Sequence, residues 1–231
     1  HTVKADTTLF TQVDLPILES TEKTSPVDAV QYESWLKTNV YKQKQADYFA
    51  VYIQVQIGDI DIHTSRKLAE VVKRWSADEL RITINQNLQL RYVREESLPA
   101  LFNALHELGL ARAGYNSVAD ITACPGTDTC NLGISNSTGT AKVLEHVIRE
   151  EYPELIYNND IKIKISGCMN SCGQHGMANI GFHGSSLKSG GKVLPAVQVL
   201  LGGGTLGNGE GRVADKVLKV PSKKSPEVLR V

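Results

Sequence analysis

All four cysteines of the chain fall in two close pairs, Cys124 with Cys130 and Cys168 with Cys172. The spacing is C-x5-C, a long gap, then C-x3-C. Each pair lies in a turn-forming segment, Cys124-Pro-Gly-Thr-Asp-Thr-Cys130 and Gly167-Cys168-Met-Asn-Ser-Cys172-Gly173. Such loops bend the backbone round a ligand and leave N–H groups free to hydrogen-bond to sulfur. Four thiolates so arranged suit an iron–sulfur cluster. They also suit a structural zinc, although zinc pairs usually stand roughly two to four residues apart and C-x5-C is wide. Two disulfides, or four unrelated buried cysteines, are the remaining alternatives, and the N-terminus carries no export signal.

The elements round these loops are legible from periodicity. Ile161-Lys-Ile-Lys-Ile165 alternates as a strand and runs straight into the second pair. A helix over about 138–151 lies between the pairs and ends before Pro153. Strands are expected near 178–183 and 195–201, and the glycine-rich 184–211 region reads as looped. Gly202 to Gly204 lack the Lys-Ser/Thr of a phosphate loop and read as close backbone packing.

Upstream, the order is β-α-β-β-α, most of a ferredoxin-like unit. Residues 48–57 alternate with one wet face, and Leu68, Val71, Val72 and Trp75 make a helical stripe. Arg81–Asn85 and Leu88–Val93 are strands with Gln86-Asn87 as the turn between them. Ser97 caps the next helix and Gly109 ends it. Ser25 with Pro26 and Asp28 starts a helix over about 26–38, carrying Val30 and Trp35. Thr7 to Thr24, with its apolar knot Leu15-Pro16-Ile17-Leu18, reads as an arm. Ser225-Pro226-Glu227 starts a helix that the chain leaves within its first turns, so a longer parent protein is expected.

Composition narrows the functional classes. Lys plus Arg is 25 and Asp plus Glu is 25, which disfavours a basic nucleic-acid or membrane-surface binder. No apolar run approaches the ~20 residues of a membrane span.

The stretch Thr122-Ala123-Cys124-Pro125 through Cys130, with Ser166-Gly167-Cys168-Met169-Asn170-Ser171-Cys172-Gly173, resembles the cluster signature of siroheme-dependent sulfite and nitrite reductases. Trp35 to Gln45, Arg81-x-Thr83-x-x-Gln86-Asn87 and the strand ending Leu201-Gly202-Gly203 agree in order and spacing, so the resemblance covers the chain from residue 32 onward. It implies an α+β fold. A ferredoxin-like half-domain would span 46–115, and a larger mixed α/β 4Fe-4S and siroheme-binding domain 116–231, truncated at its C-terminus. Residues 1–45 would form an arm or linker with a short helix.

Family members have two similar halves with the siroheme between them, and this chain resembles the second, cysteine-bearing half. The implied reaction is the six-electron reduction of sulfite to sulfide or nitrite to ammonia, in the cytoplasm. The electron donor would be an external ferredoxin or flavoprotein, since no flavin or nicotinamide motif is present. Cys124, Cys130, Cys168 and Cys172 would hold a 4Fe-4S cluster, with Cys172 bridging to the siroheme iron. Asn170, Lys162, Lys164, Arg81 and Gln86 are further cofactor-binding candidates. Each has a plainer role available: Asn170 as a turn residue, the lysines as a solvated strand face, Arg81 and Gln86 as structural groups. His175 and His183 read as packing or surface groups. The anion-binding residues are expected mostly in the other half, so the isolated fragment is expected to be inactive and free of siroheme. A stand-alone electron-transfer module and a zinc-stabilised binding domain are the alternatives.

Overall fold

The computed structural model describes residues 24–77, 79–207 and 209–230. The expected arm therefore lies, but for Thr24, outside the described residues. The first helix, α1 (Ala29–Asn39), is capped by Asp28, whose carboxylate accepts from the Gln31 N–H at 2.9 Å. Ser25 and Pro26 stand outside it, because an Asp at the cap position is a strong acceptor for the free first-turn N–H groups. Ser25 instead offers its carbonyl to Asn103 Nδ2 at 2.9 Å. Trp35 is fully buried, whereas Val30 is exposed.

The chain continues as β1 (Val40–Lys42), β2 (Tyr48–Ile53), α2 (Ile62–Trp75), β3 (Leu80–Ile82), β4 (Leu88–Arg94) and α3 (Leu98–Glu107). These strands form an antiparallel sheet in the order β1-β2-β4-β3. The expected β-α-β-β-α order is present, with β1 added as an edge strand. Trp35, Val51, Ile53, Leu68, Val72, Leu90, Leu101, Phe102 and Leu105 pack into one core. Each large side chain buried there contributes about 1.5–3 kcal/mol of hydrophobic stabilisation.

Three local expectations are corrected. The β3–β4 connection is a longer loop over 83–87, not a two-residue turn: the Thr83 N–H donates to the Asn87 carbonyl at 2.8 Å and the Gln86 N–H to the Thr83 carbonyl at 3.2 Å. Ser97 stands at the N-cap position of α3, as expected, but its side chain makes no cap bond: it ends a 3-10 turn, and its buried hydroxyl has no hydrogen-bond partner among the described residues. The strand expected over 48–57, β2, ends at Ile53, and Gln56–Gly58 turns with Ile57 at φ +54. That turn seats Ile57 against the core of the second layer.

The second layer contains β5 (Thr122–Ala123), α4 (Ser137–Glu151), β6 (Ile163–Ser166), β7 (Ile180–Ser189), β8 (Lys192–Leu201), β9 (Gly204–Gly207), β10 (Glu210–Arg212), β11 (Asp215–Pro221) and α5 (Ser225–Leu229). Its sheet order is β11-β8-β7-β6-β5. β5, β6 and β7 run parallel, while β8 and β11 are antiparallel additions. Most of the region expected as loop is strand. Gly190 and Gly191, at φ +56 and +73, provide the primed turn that joins β7 to β8 as one long hairpin. The Gly202–Gly204 run does pack backbone on backbone: a Cβ on Gly203 would stand 2.5 Å from the Ala178 carbonyl oxygen. Ile121, Leu144, Ile148, Ile163, Ile165, Phe182, Val197 and Val199 form this core.

The two layers meet through buried polar groups. The Glu145 carboxylate accepts from Arg112 Nη1 at 2.8 Å, Arg149 Nε at 3.0 Å and Gln56 Nε2 at 2.8 Å. Asp120 accepts from Asn87 Nδ2 and the Asn116 N–H, both at 2.7 Å, and from Gln54 Nε2 at 3.3 Å. No helix among the described residues is long and apolar enough to cross a membrane.

Candidate functional site

The parallel strands β5 and β6 each run out into a cysteine segment at their carboxyl ends, the side on which open α/β sheets bind ligands. Cys124 directly follows β5, and Cys168 follows β6 after Gly167. Helix α4 makes the crossover between these strands, so residues far apart in sequence meet. The Cys124 N–H donates to the Ile165 carbonyl at 3.1 Å, and the Gly167 N–H donates to Cys124 Sγ at 3.0 Å. The Gly167 carbonyl accepts from the N–H groups of Ile134 and Ser135 at 2.8 and 3.1 Å. A Cβ on Gly167 would stand 2.4 Å from Gly126 Cα, so only glycine allows the two segments to approach this closely.

The second loop is tied at its base. Ser166 Oγ accepts from the Gly173 N–H at 3.0 Å and lies 2.8 Å from His175 Nδ1. Ser171 and Gln174, on either side of Cys172 and Gly173, are left-handed at φ +64 and +59, each at a cost on the order of 1–3 kcal/mol. Cys168 is buried, Cys124 half-buried, and Cys130 and Cys172 are exposed. Among the described residues, no three His, Cys, Asp or Glu side chains are grouped for a single ion.

The other candidates divide. Lys164 Nζ donates to Gln174 Oε1 at 2.9 Å and to Asn85 Oδ1 at 3.4 Å, which puts it beside the second cysteine loop. Lys162 Nζ donates to the Asn116 and Asn159 carbonyls and is committed there. Both lysines are half-buried rather than solvated, and burial pulls both below the usual lysine range. Asn170 is exposed between Cys168 and Cys172. Arg81 lies on β3, and its Nε donates to Glu79 Oε1 at 2.9 Å. The Gln86 carboxamide is occupied by the Ala123 backbone: Nε2 donates to the carbonyl at 2.8 Å and Oε1 accepts from the N–H at 3.0 Å.

His175 and His183 are buried with ring centroids 4.8 Å apart. Burial, and then His183 and Lys216, push His175 down to about 4. Sequence reasoning placed Ser166 in the cluster signature without a role and passed over Ser137. The Ser137 hydroxyl donates to the Cys124 carbonyl at 2.6 Å and lies 3.6 Å from its sulfur. Nothing local marks either serine; each matters only through a partner that folding brings to it.

Two family models cover most of the chain: the nitrite/sulfite reductase ferredoxin-like half domain over residues 41–108, and the nitrite and sulphite reductase 4Fe-4S domain over residues 114–231. The chain belongs to the nitrite and sulfite reductase 4Fe-4S family, with the α+β fold of that family. It is 31% identical over 188 residues to the chloroplastic ferredoxin–nitrite reductase of Zea mays, covering 79% of this chain and 32% of that protein. It is 29% identical over 118 residues to the assimilatory-type sulfite reductase of Nitratidesulfovibrio vulgaris, covering 51% of this chain and 52% of that protein. The structure of the Mycobacterium tuberculosis NirA protein superposes with a TM-score of 0.72 at 26% identity, over 84% of this chain and 36% of that one. The chain thus spans about a third of the length of the first curated relatives it matches.

The residues present fit an iron–sulfur cluster. The donor set is four thiols on two touching loops, and the Gly167 N–H already points at the Cys124 sulfur. Such N–H···S bonds are a recognised influence on cluster potential.

Proposed function

We propose that this chain is the cluster-bearing half of a siroheme-dependent reductase acting on nitrite or sulfite, working with an N-terminal half of the same parent protein. Cys124, Cys130, Cys168 and Cys172 would hold the 4Fe-4S cluster, and the exposed Cys172 would also serve the siroheme iron. The ferredoxin-like half-domain is assigned to 46–115 and the cofactor domain to 116–231. The observation that carries this reading is the meeting of both cysteine segments at the carboxyl ends of β5 and β6, with the Gly167 N–H on Cys124 Sγ.

The cluster and siroheme together supply one-electron steps to a bound anion. The chain's own groups do the holding. The Gly167 amide places a positive dipole at the Cys124 sulfur, which favours the more negative, reduced state. Half-buried Lys164, beside Gln174, places a cation near the Cys172 loop, where a carboxylate of the macrocycle or the anion would be attracted. Asn170 lies on the same loop as a further donor. Arg81 and Gln86 are already bonded, to Glu79 and to Ala123, and support the site rather than contact a ligand. Ferredoxin is the favoured external donor, by analogy with the plant and cyanobacterial relatives whose names state it. The cytoplasm is the favoured compartment, since a reducing environment preserves such thiolates.

Anaerobic reconstitution with iron and sulfide analysis tests the reading, on this chain and on its parent. About four irons with matching sulfide in each, and siroheme bands with nitrite or sulfite reduction only in the parent, is the expected result. Serine at Cys124 or Cys168 should abolish iron uptake. One bound zinc in place of iron would replace the reading with a zinc-stabilised binding domain. A parent with the cluster but no siroheme would replace it with an electron-transfer module.

A further inference from the structure

The geometry points to Gln86, in the ferredoxin-like layer, as the positioning residue for Cys124. Among the described residues β5 is the edge strand of its sheet, with β6 on one side only. Ala123 is 1% exposed, no described strand closes its other side, and unpaired backbone polar groups there would be costly. The Gln86 carboxamide takes that place as a single rung, donating to the Ala123 carbonyl and accepting from its N–H. A primary amide carries a donor and an acceptor in one plane, so Gln matches a peptide edge where Glu or Met does not.

The consequence for the ligand is direct. The Ala123 carbonyl and the Cys124 N–H belong to one peptide unit. Gln86 Nε2 holds that unit from one side at 2.8 Å, and the Ile165 carbonyl holds it from the other at 3.1 Å. The orientation of this peptide sets the direction in which the Cys124 side chain leaves the backbone. Gln86 can serve because its own loop is braced. It stands at φ +65, and Gly58 leaves room for it, since a Cβ there would be 3.0 Å from Gln86 Cβ. Its neighbours also reach the second layer: Asn85 Nδ2 donates to Asn116 Oδ1 at 3.3 Å and Asn87 Nδ2 to Asp120 Oδ2 at 2.7 Å. One loop therefore presents three successive side chains across the layers, and Gln86 ends on the peptide unit that leads into Cys124.

This inference rests on the reading that Cys124 holds a cluster iron. The test uses the parent reductase with its cluster in place, and the variants Gln86→Met and Gln86→Glu. Met removes both bonds at similar length. Glu keeps the shape but faces the Ala123 carbonyl with negative charge. Asn103→Ala is the control, because it removes two hydrogen bonds at Ser25 and Val27, away from the cysteine loops. Cluster loss to a chelator is timed anaerobically, the reduced cluster's electron paramagnetic resonance signal is recorded, and melting is followed in parallel. Both Gln86 variants should lose the cluster about 10- to 100-fold faster than wild type with an altered signal, the range typical of outer-sphere ligand partners. Asn103→Ala should match wild type in both readouts. Gln86 variants with a wild-type loss rate and signal would overturn the inference, as would cluster loss no greater than in Asn103→Ala at equal loss of melting temperature. If Met at 86 prevents folding, Glu at 86 decides by the same two readouts. A wild-type parent without iron would instead overturn the cluster reading, and this inference with it.

Discussion

The Ser166 hydroxyl oxygen accepts the Gly173 N–H at 3.0 Å and so closes the loop that carries Cys168 and Cys172. The closure draws the backbone so tight that a Cβ on Gly173 would stand 1.9 Å from the Ile165 carbonyl oxygen. Gly173→Ala should therefore force the loop off the end of β6. A destabilisation of about 1–3 kcal/mol is expected from the overpacking, with reduced iron loading. Calorimetric melting and iron analysis check both. Unchanged iron content would show that the loop tolerates opening.

His175 makes stability depend on pH. Its folded value is depressed to about 4 from an ordinary 6.5, so the folded protein binds fewer protons than the unfolded chain between those values. Its contribution is fully present above about pH 6.5 and is lost as pH falls towards about 4. His183 and Lys216, which face it, push in the same direction. Melting temperatures across this window should fall more steeply in wild type than in His175→Gln. Parallel curves would remove His175 as the cause.

Glu145 is 3% exposed and is bonded to Arg112, Arg149 and Gln56. Glu145→Gln removes the charge and leaves the half-buried Arg149 beside Arg112, a like charge. A loss of about 3–5 kcal/mol is expected for breaking such a buried pair. Chemical denaturation should show it, and adding Arg149→Met should recover part of the loss. A loss below about 1 kcal/mol would place the pair in the weak class of surface bridges.

Asp120 accepts three hydrogen bonds from Asn87, Asn116 and Gln54, and burial raises its pKa above the ordinary carboxylate value. Asp120→Asn turns an amide donor towards groups that are themselves donors. The variant should be less stable by about 1–3 kcal/mol, the cost of a buried polar group left unmatched. Denaturant midpoints measure it. A more stable variant would mean that the charge, rather than the bonds, dominates at this position.

The cysteine spacing, the alternation of Ile161 to Ile165, and the β-α-β-β-α order were legible because they are short-range patterns. Each is read from residue types and spacing along the chain and needs no knowledge of what lies across the fold. The same reasoning misplaced the cap of α1, since Ser25 and Asp28 are both good acceptors, and in the fold Asp28 caps Gln31 while the Ser25 carbonyl is taken by Asn103, 78 residues away. It also missed β11, whose place is set by its pairing with β8, and the length of the β7–β8 hairpin, because Gly184, Gly190 and Gly191 read as loop residues until their pairing across the sheet is known.

The site divides in the same way. The four thiols and their two loops are written in the residue types between Cys124 and Gly173. Which groups serve them was decided by tertiary structure alone. Gln86 reaches Ala123 across 37 residues, Lys162 is taken up by the Asn116 carbonyl 46 residues away, and His175 is buried against His183 rather than left at the surface. A side-chain hydrogen bond acts only over about 3 Å, so its partner is set by how whole layers pack and not by the residues beside it in the chain.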